Sequence, residues 1–166
     1  MYDSENTALY AFRKFGDTVM RCAYACTGSY CEAEDITQDV FLSMHAESPI
    51  FSDDEHMKAW LIKVTVNKCK NLKKSFRFSR TQPIDENIEK ELSCEFTGEE
   101  NDLRELLFKL PERYSTVLYL YYYEGYNIRE IATMMSKNEN TVSSLLQRGR
   151  KKLKIELERE GYYARG

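Results

Sequence analysis

Helix-start signals recur along this chain and constrain its fold more than any other feature. Four pairs of residues have the spacing of a capping box, in which two side chains satisfy the open amides of a helix start. The pairs are Ser29 with Glu32, Ser52 with Glu55, Thr97 with Glu100, and Asn127 with Glu130. Pro111 fits the first turn of a helix, and Gly125 fits a position just past a helix end. The pattern predicts an almost entirely helical chain.

Apolar residues recur at helical spacing between these signals, which predicts one buried face on each helix. The stripes are Ile36, Val40, Phe41 and Met44; Met57, Trp60, Leu61, Val64 and Leu72; and Val142, Leu145, Leu146 and Leu153. Residues 76–98 lack this period and contain proline, glycine and acids, so they predict a linker with a short helical piece near 85–92. We therefore expect an all-α fold of two small helical domains, 1–75 and 99–166, joined by a flexible linker.

The sequence does not favour a membrane-spanning or a secreted protein. The longest apolar stretch, residues 117–123, is far shorter than the ~20 residues that span a bilayer. The N-terminus begins with acidic and polar residues rather than with the pattern of a signal peptide, so a cytoplasmic protein is expected.

The five cysteines are an odd number without CxxC spacing, which does not favour a disulfide framework. Cys22, Cys26 and Cys31 are candidates for a metal cluster. However, Cys22 and Cys26 lie one helical turn apart among alanines and tyrosines, which favours small buried residues. No metal or other cofactor is expected.

Residues 126–154 have the pattern of a helix-turn-helix, in which a second helix enters the major groove of DNA. A short helix is predicted from Ile128 to about Met135, followed by the polar turn SKNE, with Asn140 placed to cap the next helix. That helix is basic, since five of the seven residues from Arg148 to Lys154 are lysine or arginine. The net charge of the whole protein is −3, so it is expected to bind DNA with the help of a partner.

The face of this second helix opposite its apolar stripe is predicted to contact DNA. It carries Ser143, Ser144, Gln147, Arg148, Arg150, Lys151 and Lys154. Small polar groups suit base edges, and arginines suit guanine edges or phosphates. The alternative is a solvated charged face on a terminal helix, and the preceding short helix and turn favour DNA.

The helix predicted from Ser52 has a second polar face made of lysine and asparagine. Its members are Lys63, Asn67, Lys70, Asn71 and Lys74. Amides can hydrogen-bond base edges and lysines can neutralise phosphates. A solvated face would more often mix lysine with glutamate, and no acid occurs between Glu55 and Asp85.

Phe51 immediately precedes this helix. It is either a core residue or, beside a nucleic-acid face, an aromatic side chain that stacks on an unpaired base. A pocket shared with Asn67 requires the loop 46–55 to fold back, because Ser52 and Asn67 are ~22 Å apart along a straight helix.

The preceding helix is acidic and would repel DNA. It carries Glu32, Glu34, Asp35, Gln38 and Asp39. Such a surface suits a basic protein, although part of the charge is simply favourable at a helix N-terminus. A metal-dependent hydrolase using these acids is an alternative, but there is no HExxH or nucleophile motif, and the only histidines are His45 and His56.

Two blocks of sequence resemble bacterial RNA polymerase sigma factors. EAEDITQDVFLSMH followed by MKAWLIKVTVNKCKN is similar to their region 2, and LPERYSTVLYLYYYEGYNIREIA with NTVSSLLQRGRKKL is similar to region 4. With only these two regions and a short linker, the chain resembles the extracytoplasmic-function (ECF) group over about residues 8–75 and 100–157. The resemblance implies a transcription initiation factor, not an enzyme, that directs polymerase core to promoters.

The resemblance also implies roles in region 2. Asp35, Gln38 and Asp39 match the surface that docks on the clamp helices of the polymerase β′ subunit. Phe51 and Asn67 resemble residues around the pocket for a flipped −10 base of the non-template strand. The remaining members of the polar face would lie along the −10 DNA: Lys63, Lys70, Asn71 and Lys74.

In region 4, Ser144, Arg148 and Arg150 match positions that contact the −35 element. Ser143 stands where the family often has a basic residue, and Tyr121 where it often has arginine. The turn SKNEN lacks the family's frequent glycine, so these departures concern the −35 sequence preference.

The implied partners are promoter DNA, polymerase core through its β′ and β subunits, and an anti-sigma factor, without membrane insertion. An ordinary helix-turn-helix regulator, with residues 1–75 for sensing or dimerisation, is the alternative. It would leave the lysine–asparagine face and the acidic helix without a partner. The two hypotheses differ in whether promoter-specific binding needs polymerase core.

Overall fold

The computed structural model describes residues 4–78 and 99–159, with side chains over residues 7–73 and 103–159. Within these ranges the chain forms helices and turns without a strand, which confirms the predicted all-α fold. The chain divides into two compact units. The first contains α1 (Ser4–Thr27), α2 (Tyr30–Glu47) and α3 (Asp54–Phe78). The second contains α4 (Glu99–Lys109), α5 (Glu112–Leu118), a π-helical turn (Tyr119–Tyr123), α6 (Ile128–Met135) and α7 (Glu139–Arg159).

The first unit is built around α1, which packs against both α2 and α3. Its core contains Val19, Ala23, Val40, Met44 and Leu61, whose side chains are almost completely buried. Fully burying a Val, Leu or Met side chain stabilises a fold by roughly 1.5–3 kcal/mol. These contacts therefore contribute to holding α2 and α3 against α1.

The start of α2 agrees with the sequence prediction. Gly28 has φ +69, a left-handed conformation that lets the chain leave α1. The Ser29 side chain then accepts a hydrogen bond from the Glu32 backbone N–H at 3.3 Å. The side-chain cap predicted for Ser29 at the start of α2 is confirmed.

The prediction that Ser52 caps the third helix is wrong by one residue. Asp53 is the cap, since its Oδ1 accepts from the His56 backbone N–H at 2.8 Å. The Ser52 N–H instead donates to His56 Nδ1 at 3.2 Å. An aspartate beside the serine provides the stronger, charged acceptor, so α3 begins at Asp54.

The buried face of α3 is broader than the predicted stripe. Met57 and Leu61 are buried as expected, whereas Trp60, Val64 and Leu72 are only half-buried. The structure adds Ile62, Thr65, Val66 and Cys69 to the core. The reason is that α3 contacts both α1 and α2, so two sides of the helix are covered.

A polar cluster also ties the start of α3 to α1. Tyr10 Oη donates to the Asp54 carboxylate at 3.0 and 3.1 Å, and Lys14 forms an ion pair with the same carboxylate. The hydrogen bond from Lys14 lowers the pKa of Asp54. The hydrogen bond to Asp54 raises the pKa of Lys14 and of Tyr10.

The second unit packs α7 closely on α5. At Gly149 an added Cβ would lie 3.1 Å from Leu118 Cδ1 and 3.3 Å from Tyr114 Cβ. Leu118, Leu120, Ile131 and Leu146 fill the surrounding core. Any side chain at position 149 would therefore require Leu118 or Tyr114 to shift by a few tenths of an ångström.

The entry to α6 follows the predicted signals. Gly125 has φ +74 just after the π-helical turn. Asn127 and Glu130 form a complete capping box, with the Asn127 side chain accepting at 2.8 Å and the Glu130 side chain at 3.1 Å. Pro111 stands at the N-cap position of α5, one place before the predicted first turn, and makes no side-chain hydrogen bond there.

A helix-turn-helix is present, with α6 as its first helix and α7 as its second. Ser136, at φ +54, ends α6 in the left-handed conformation. Asn138 then caps α7, because its Oδ1 accepts from the Thr141 N–H at 2.7 Å. The prediction of Asn140 as the cap is wrong, since Asn140 already lies within the first turn of α7.

Helix α3 continues to Phe78, so residues 76–78, the first three of the predicted linker, are helical. The rest of the predicted linker, with the helical piece at 85–92 and the capping residue Thr97, lies outside the described residues. Among the helices that are described, none is long and apolar enough to cross a membrane.

Candidate nucleic-acid interface

The outer face of α7 carries all seven residues predicted to contact DNA. Ser143 is half-buried, and the other six are exposed: Ser144, Gln147, Arg148, Arg150, Lys151 and Lys154. The opposite side of α7 is buried and consists of Val142, Leu145, Leu146 and Gly149. The structure therefore presents one continuous polar face on a helix that can enter a groove ~12 Å wide.

Arg150 lies at one flank of this face, beside two tyrosines of the π-helical turn. Its Nε donates to Tyr122 Oη at 2.6 Å. Its guanidinium carbon is 5.4 Å from the ring centroid of Tyr121 and 5.6 Å from that of Tyr122. Sequence reasoning did not find this contact, because a π-helical turn has no clear signal in a run of aromatic residues.

The other flank of α7 is also positively charged. Arg113 and Lys152 lie over the ring of Tyr114, at 4.6 and 5.5 Å from its centroid. The hydrogen bond from Arg113 lowers the pKa of Tyr114, and the charges of Lys152 and Arg148 lower it further. The positive charges of Arg113 and Lys152 therefore lie on this flank together with that of Arg148, and such a cluster favours the approach of an anion such as phosphate.

The polar face of α3 lies on the side away from the core of the first unit. Lys63 and Asn71 are exposed, and Asn67 and Lys70 are half-buried. Lys63 and Asn71 are eight residues apart, or ~12 Å along the helix axis. The side chain of Lys74, the last predicted member of this face, lies outside the described residues.

Phe51 lies against the first turns of α3, whereas Asn67 lies further along that helix. Phe51 is half-buried and packs edge-on against His56 and Trp60, with ring centroids 5.3 and 5.8 Å apart. The loop thus folds back over the first turns of α3, as a shared pocket would require, and the ring contacts of Phe51 are with residues of these turns. Asn67 lies seven residues further, ~10 Å along the axis. The adjacent Ile50, which sequence reasoning missed, is 92% exposed.

The acidic face of α2 is fully accessible. Asp35, Gln38 and Asp39 are all exposed. Leu42, at 65% exposure, lies among them and was missed by sequence reasoning. Its spacing of three residues from Asp39 and seven from Asp35 was the available signal, since residues at these intervals share a helix face.

The sequence profile described as sigma-70 region 2 matches residues 11–77, and that described as sigma-70 region 4 matches residues 100–153. Together the two matches cover most of the chain, in the order α1–α3 and then α4–α7. The chain belongs to the sigma-70 family of RNA polymerase sigma factors. Within that family it is a member of the ECF group.

Individual relatives agree with this assignment. RNA polymerase sigma factor SigV of Bacillus subtilis is 29% identical over 84% of this chain and 84% of its own length. ECF RNA polymerase sigma factor SigW of the same organism is 22% identical over 86% of this chain and 84% of its own length. The sigma factor RpoE of Bartonella quintana, solved with the anti-sigma factor NepR, has the same fold, with a TM-score of 0.66. That match has 18% identity and covers 90% of this chain and 95% of RpoE.

Sigma factors act with RNA polymerase in promoter-specific initiation and are not enzymes. Family membership therefore decides against the metal-dependent hydrolase. Among the side chains that the structure describes, in residues 7–73 and 103–159, no three of His, Cys, Asp or Glu are grouped so that they could hold a metal ion. Of the cysteines considered for such a cluster, Cys22 and Cys26 are buried and Cys31 is exposed.

Proposed function

We propose that this sigma factor places α7 on the −35 element and α3 along the −10 element, while α2 docks on polymerase core. The observation that carries the proposal is the presence of a second polar face, on α3, in the unit that does not contain the helix-turn-helix. A regulator that binds a single operator through its helix-turn-helix does not need a second DNA-binding face. An initiation factor needs one, because it contacts two separate promoter elements.

At the −35 element, the middle of α7 reads bases and its flanks hold the backbone. Ser144 and Gln147 are exposed on the outer face, where hydroxyl and amide groups reach base edges. Arg148 and Lys151 add charge for guanine or phosphate contacts. Arg113 and Lys152, which lie over the ring of Tyr114, add positive charge that supports a phosphate contact on the Arg148 flank.

At the −10 element, Lys63 and Lys70 neutralise phosphates, and Asn71 hydrogen-bonds to bases or backbone. Lys74 extends the same face by its position in the sequence. Phe51 packs on Trp60, and ~10 Å of helix separates Trp60 from Asn67. We therefore infer that Phe51 and Asn67 contact different nucleotides. Phe51 and Trp60 form an aromatic wall on which an unpaired base stacks, and Asn67 binds further along the strand.

The acidic face of α2 is the proposed docking surface for the β′ clamp helices, with a further contact to the β subunit elsewhere. Asp35 and Asp39 provide charge complementarity, and the exposed Leu42 adds apolar area between them. Asp39→Arg is expected to weaken core binding at least tenfold in a pull-down while the helical circular-dichroism spectrum is unchanged. Asp17→Arg, the same charge reversal at an exposed position of α1, is the control. Equal core affinity for the two variants contradicts the docking assignment.

We also propose that the protein acts in the cytoplasm and is held inactive by an anti-sigma factor. The support is that RpoE, which shares this fold, was solved in complex with the anti-sigma factor NepR. Co-purification from cells that express the tagged chain, with and without competing polymerase core, would detect such a partner.

Transcription in vitro on a promoter library tests the main proposal. Polymerase core with the full-length chain is expected to start transcription at promoters that share one −35 and one −10 sequence, whereas core alone does not. Equally tight and sequence-specific DNA binding by the chain without core would favour the helix-turn-helix regulator instead.

A further inference from the structure

Tyr121 and Tyr122 surround Arg150 on the surface of the second unit. The two rings meet edge-to-face with centroids 5.0 Å apart. The Arg150 guanidinium lies against both rings, and its Nε–H bonds to Tyr122 Oη. Tyr122 is 53% exposed, so this contact forms at the surface and is not part of the core.

The hydrogen bond leaves the phosphate-binding end of the guanidinium available. Arginine has five N–H donors, and the bond to Tyr122 uses the one on Nε. The two terminal nitrogens carry the other four, and a pair of parallel N–H groups is what a phosphate accepts in bidentate fashion. In the part of the chain that the structure describes, Arg150 forms no ion pair that would compete.

The contact fixes a side chain that is ordinarily disordered at a surface. An arginine loses much rotamer freedom when it binds, and this loss opposes binding. Two aromatic faces and one hydrogen bond restrict Arg150 before any DNA arrives, so less freedom remains to be lost. Aromatic rings attract the cation without neutralising it, unlike a carboxylate.

The position of Arg150 on α7 fits a backbone contact. Arg148 and Arg150 are two residues apart and so point ~200° apart around the helix. They lie on opposite flanks of the face that contains Gln147 and Lys151. A helix in the major groove has one phosphate backbone along each flank, so the two arginines reach different strands.

We propose that Tyr122, with Tyr121, is a positioning residue that holds Arg150 for a phosphate of the −35 element. The tyrosine hydroxyl and rings orient the guanidinium and do not themselves read the DNA. The inference rests on the proposed function, since it assumes that α7 binds the −35 element. It adds a role for residues that sequence reasoning did not assign to binding.

The test measures binding of the holoenzyme to a −35-containing duplex as a function of salt. Tyr122→Phe removes the hydroxyl and keeps the ring, Arg150→Ala removes the cation, and the double variant combines both. Arg150→Ala is expected to weaken binding about tenfold and to reduce the slope of log K against log salt by about 0.9, the value for one phosphate. Tyr122→Phe is expected to weaken binding about threefold with the slope unchanged, since the charge is retained.

The double variant decides whether the tyrosine acts through the arginine. If it does, Tyr122→Phe has no further effect once Arg150 is alanine. An equal effect of Tyr122→Phe with and without Arg150 overturns the inference, as does normal binding by either single variant. Tyr121→Phe, which removes a hydroxyl from the same π-helical turn and keeps the ring beside Arg150, is the control for folding. The thermal unfolding temperatures of Tyr122→Phe and Tyr121→Phe should agree with that of the parent.

The outcomes also separate this inference from the proposed function. Normal binding by Arg150→Ala together with a defect in Arg148→Ala refutes the positioning role and leaves −35 recognition in place. Normal binding by both arginine variants refutes −35 recognition by α7 itself.

Discussion

Helices α7 and α3 have similar basic faces, but their surroundings differ. The start of α7 is fixed by the Asn138 cap, its middle packs closely through Gly149, and Arg150 is held by two tyrosines. On α3 the exposed Lys63 and Asn71 project from a helix whose aromatic contacts lie near its start, at Phe51 and Trp60. We infer that α7 is built to bind a duplex of constant shape. The proposed partner of the polar face of α3 is DNA that changes from paired to unpaired, which suits the exposed side chains of Lys63 and Asn71.

The first prediction tests whether close packing at Gly149 holds α7 in position. Gly149→Val places methyl groups where even a Cβ approaches Leu118 and Tyr114 to 3.1 and 3.3 Å. Overpacking of this kind costs about 1–3 kcal/mol of stability, and −35 recognition should be lost because α7 is displaced. Hydrogen exchange of α5 and α7 amides, with DNA binding by the holoenzyme, measures both effects.

Gln147→Val is the matched control, because the same side chain is introduced on the exposed face of the same helix. It is expected to change stability by less than about 0.5 kcal/mol. Similar loss of amide protection in the two variants would mean that the close packing at position 149 does not hold α7.

A second prediction compares one charge from each helix. Arg148→Ala should cost about 1–3 kcal/mol on promoters with the preferred −35 sequence if its contact is bidentate to guanine. Lys63→Ala should weaken binding about equally across −10 sequences and reduce the salt slope by about 0.9. Holoenzyme binding to promoter fragments with altered −35 or −10 sequences distinguishes the two. Loss of −35 selectivity in Lys63→Ala would contradict the assignment of −35 recognition to α7 and of −10 binding to α3.

A third prediction concerns the aromatic wall and Asn67. Phe51→Ala and Asn67→Ala should both slow opening of a duplex promoter, and a pre-melted bubble should restore much of the activity, because the cost of unpairing is removed. If the two side chains handle different nucleotides, each defect should depend on the identity of a different −10 base. Unchanged base preference in Phe51→Ala, with only a lower unfolding temperature, would show that Phe51 is a packing residue.

The sequence predicted most of what local chemistry determines. The capping box of Asn127, the left-handed Gly125 and the outer face of α7 all follow from spacing and residue type. The caps at Ser52 and Asn140 were placed one and two residues from the observed ones. In both places two good capping residues stand close together, so spacing alone does not choose between them.

Features that depend on tertiary contacts were not predictable in the same way. The broad buried face of α3 requires knowing that it touches both α1 and α2. The contact of Arg150 with Tyr122 joins residues 28 positions apart through a π-helical turn. The separation of Phe51 from Asn67 depends on how far the loop folds back, which helix geometry limits but does not determine.

The smallest expected effect concerns the start of α3. An ion pair between Lys14 and Asp54 stabilises this end of α3, whereas the neutral side chain of Asn138 caps the start of α7. The hydrogen bond from Lys14 lowers the pKa of Asp54 in the folded protein, so this contact adds stability above the unfolded pKa of about 3.9. That stability is lost as pH falls through the folded pKa. The pKa of Lys14 is raised by Asp54, so the same contact also weakens as pH rises through the folded value of Lys14.

Asp54→Asn should therefore lower the unfolding temperature of the first unit slightly near neutral pH, and the difference from the parent should vanish in strong acid and shrink with added salt. Glu55→Gln, which removes a charge from the same helical turn without touching Lys14, is the control for the helix dipole. A difference that persists unchanged below the folded pKa of Asp54 would show that Asp54 acts through packing. In that case the charged anchor of α3 would be no more sensitive to pH than the neutral cap of α7.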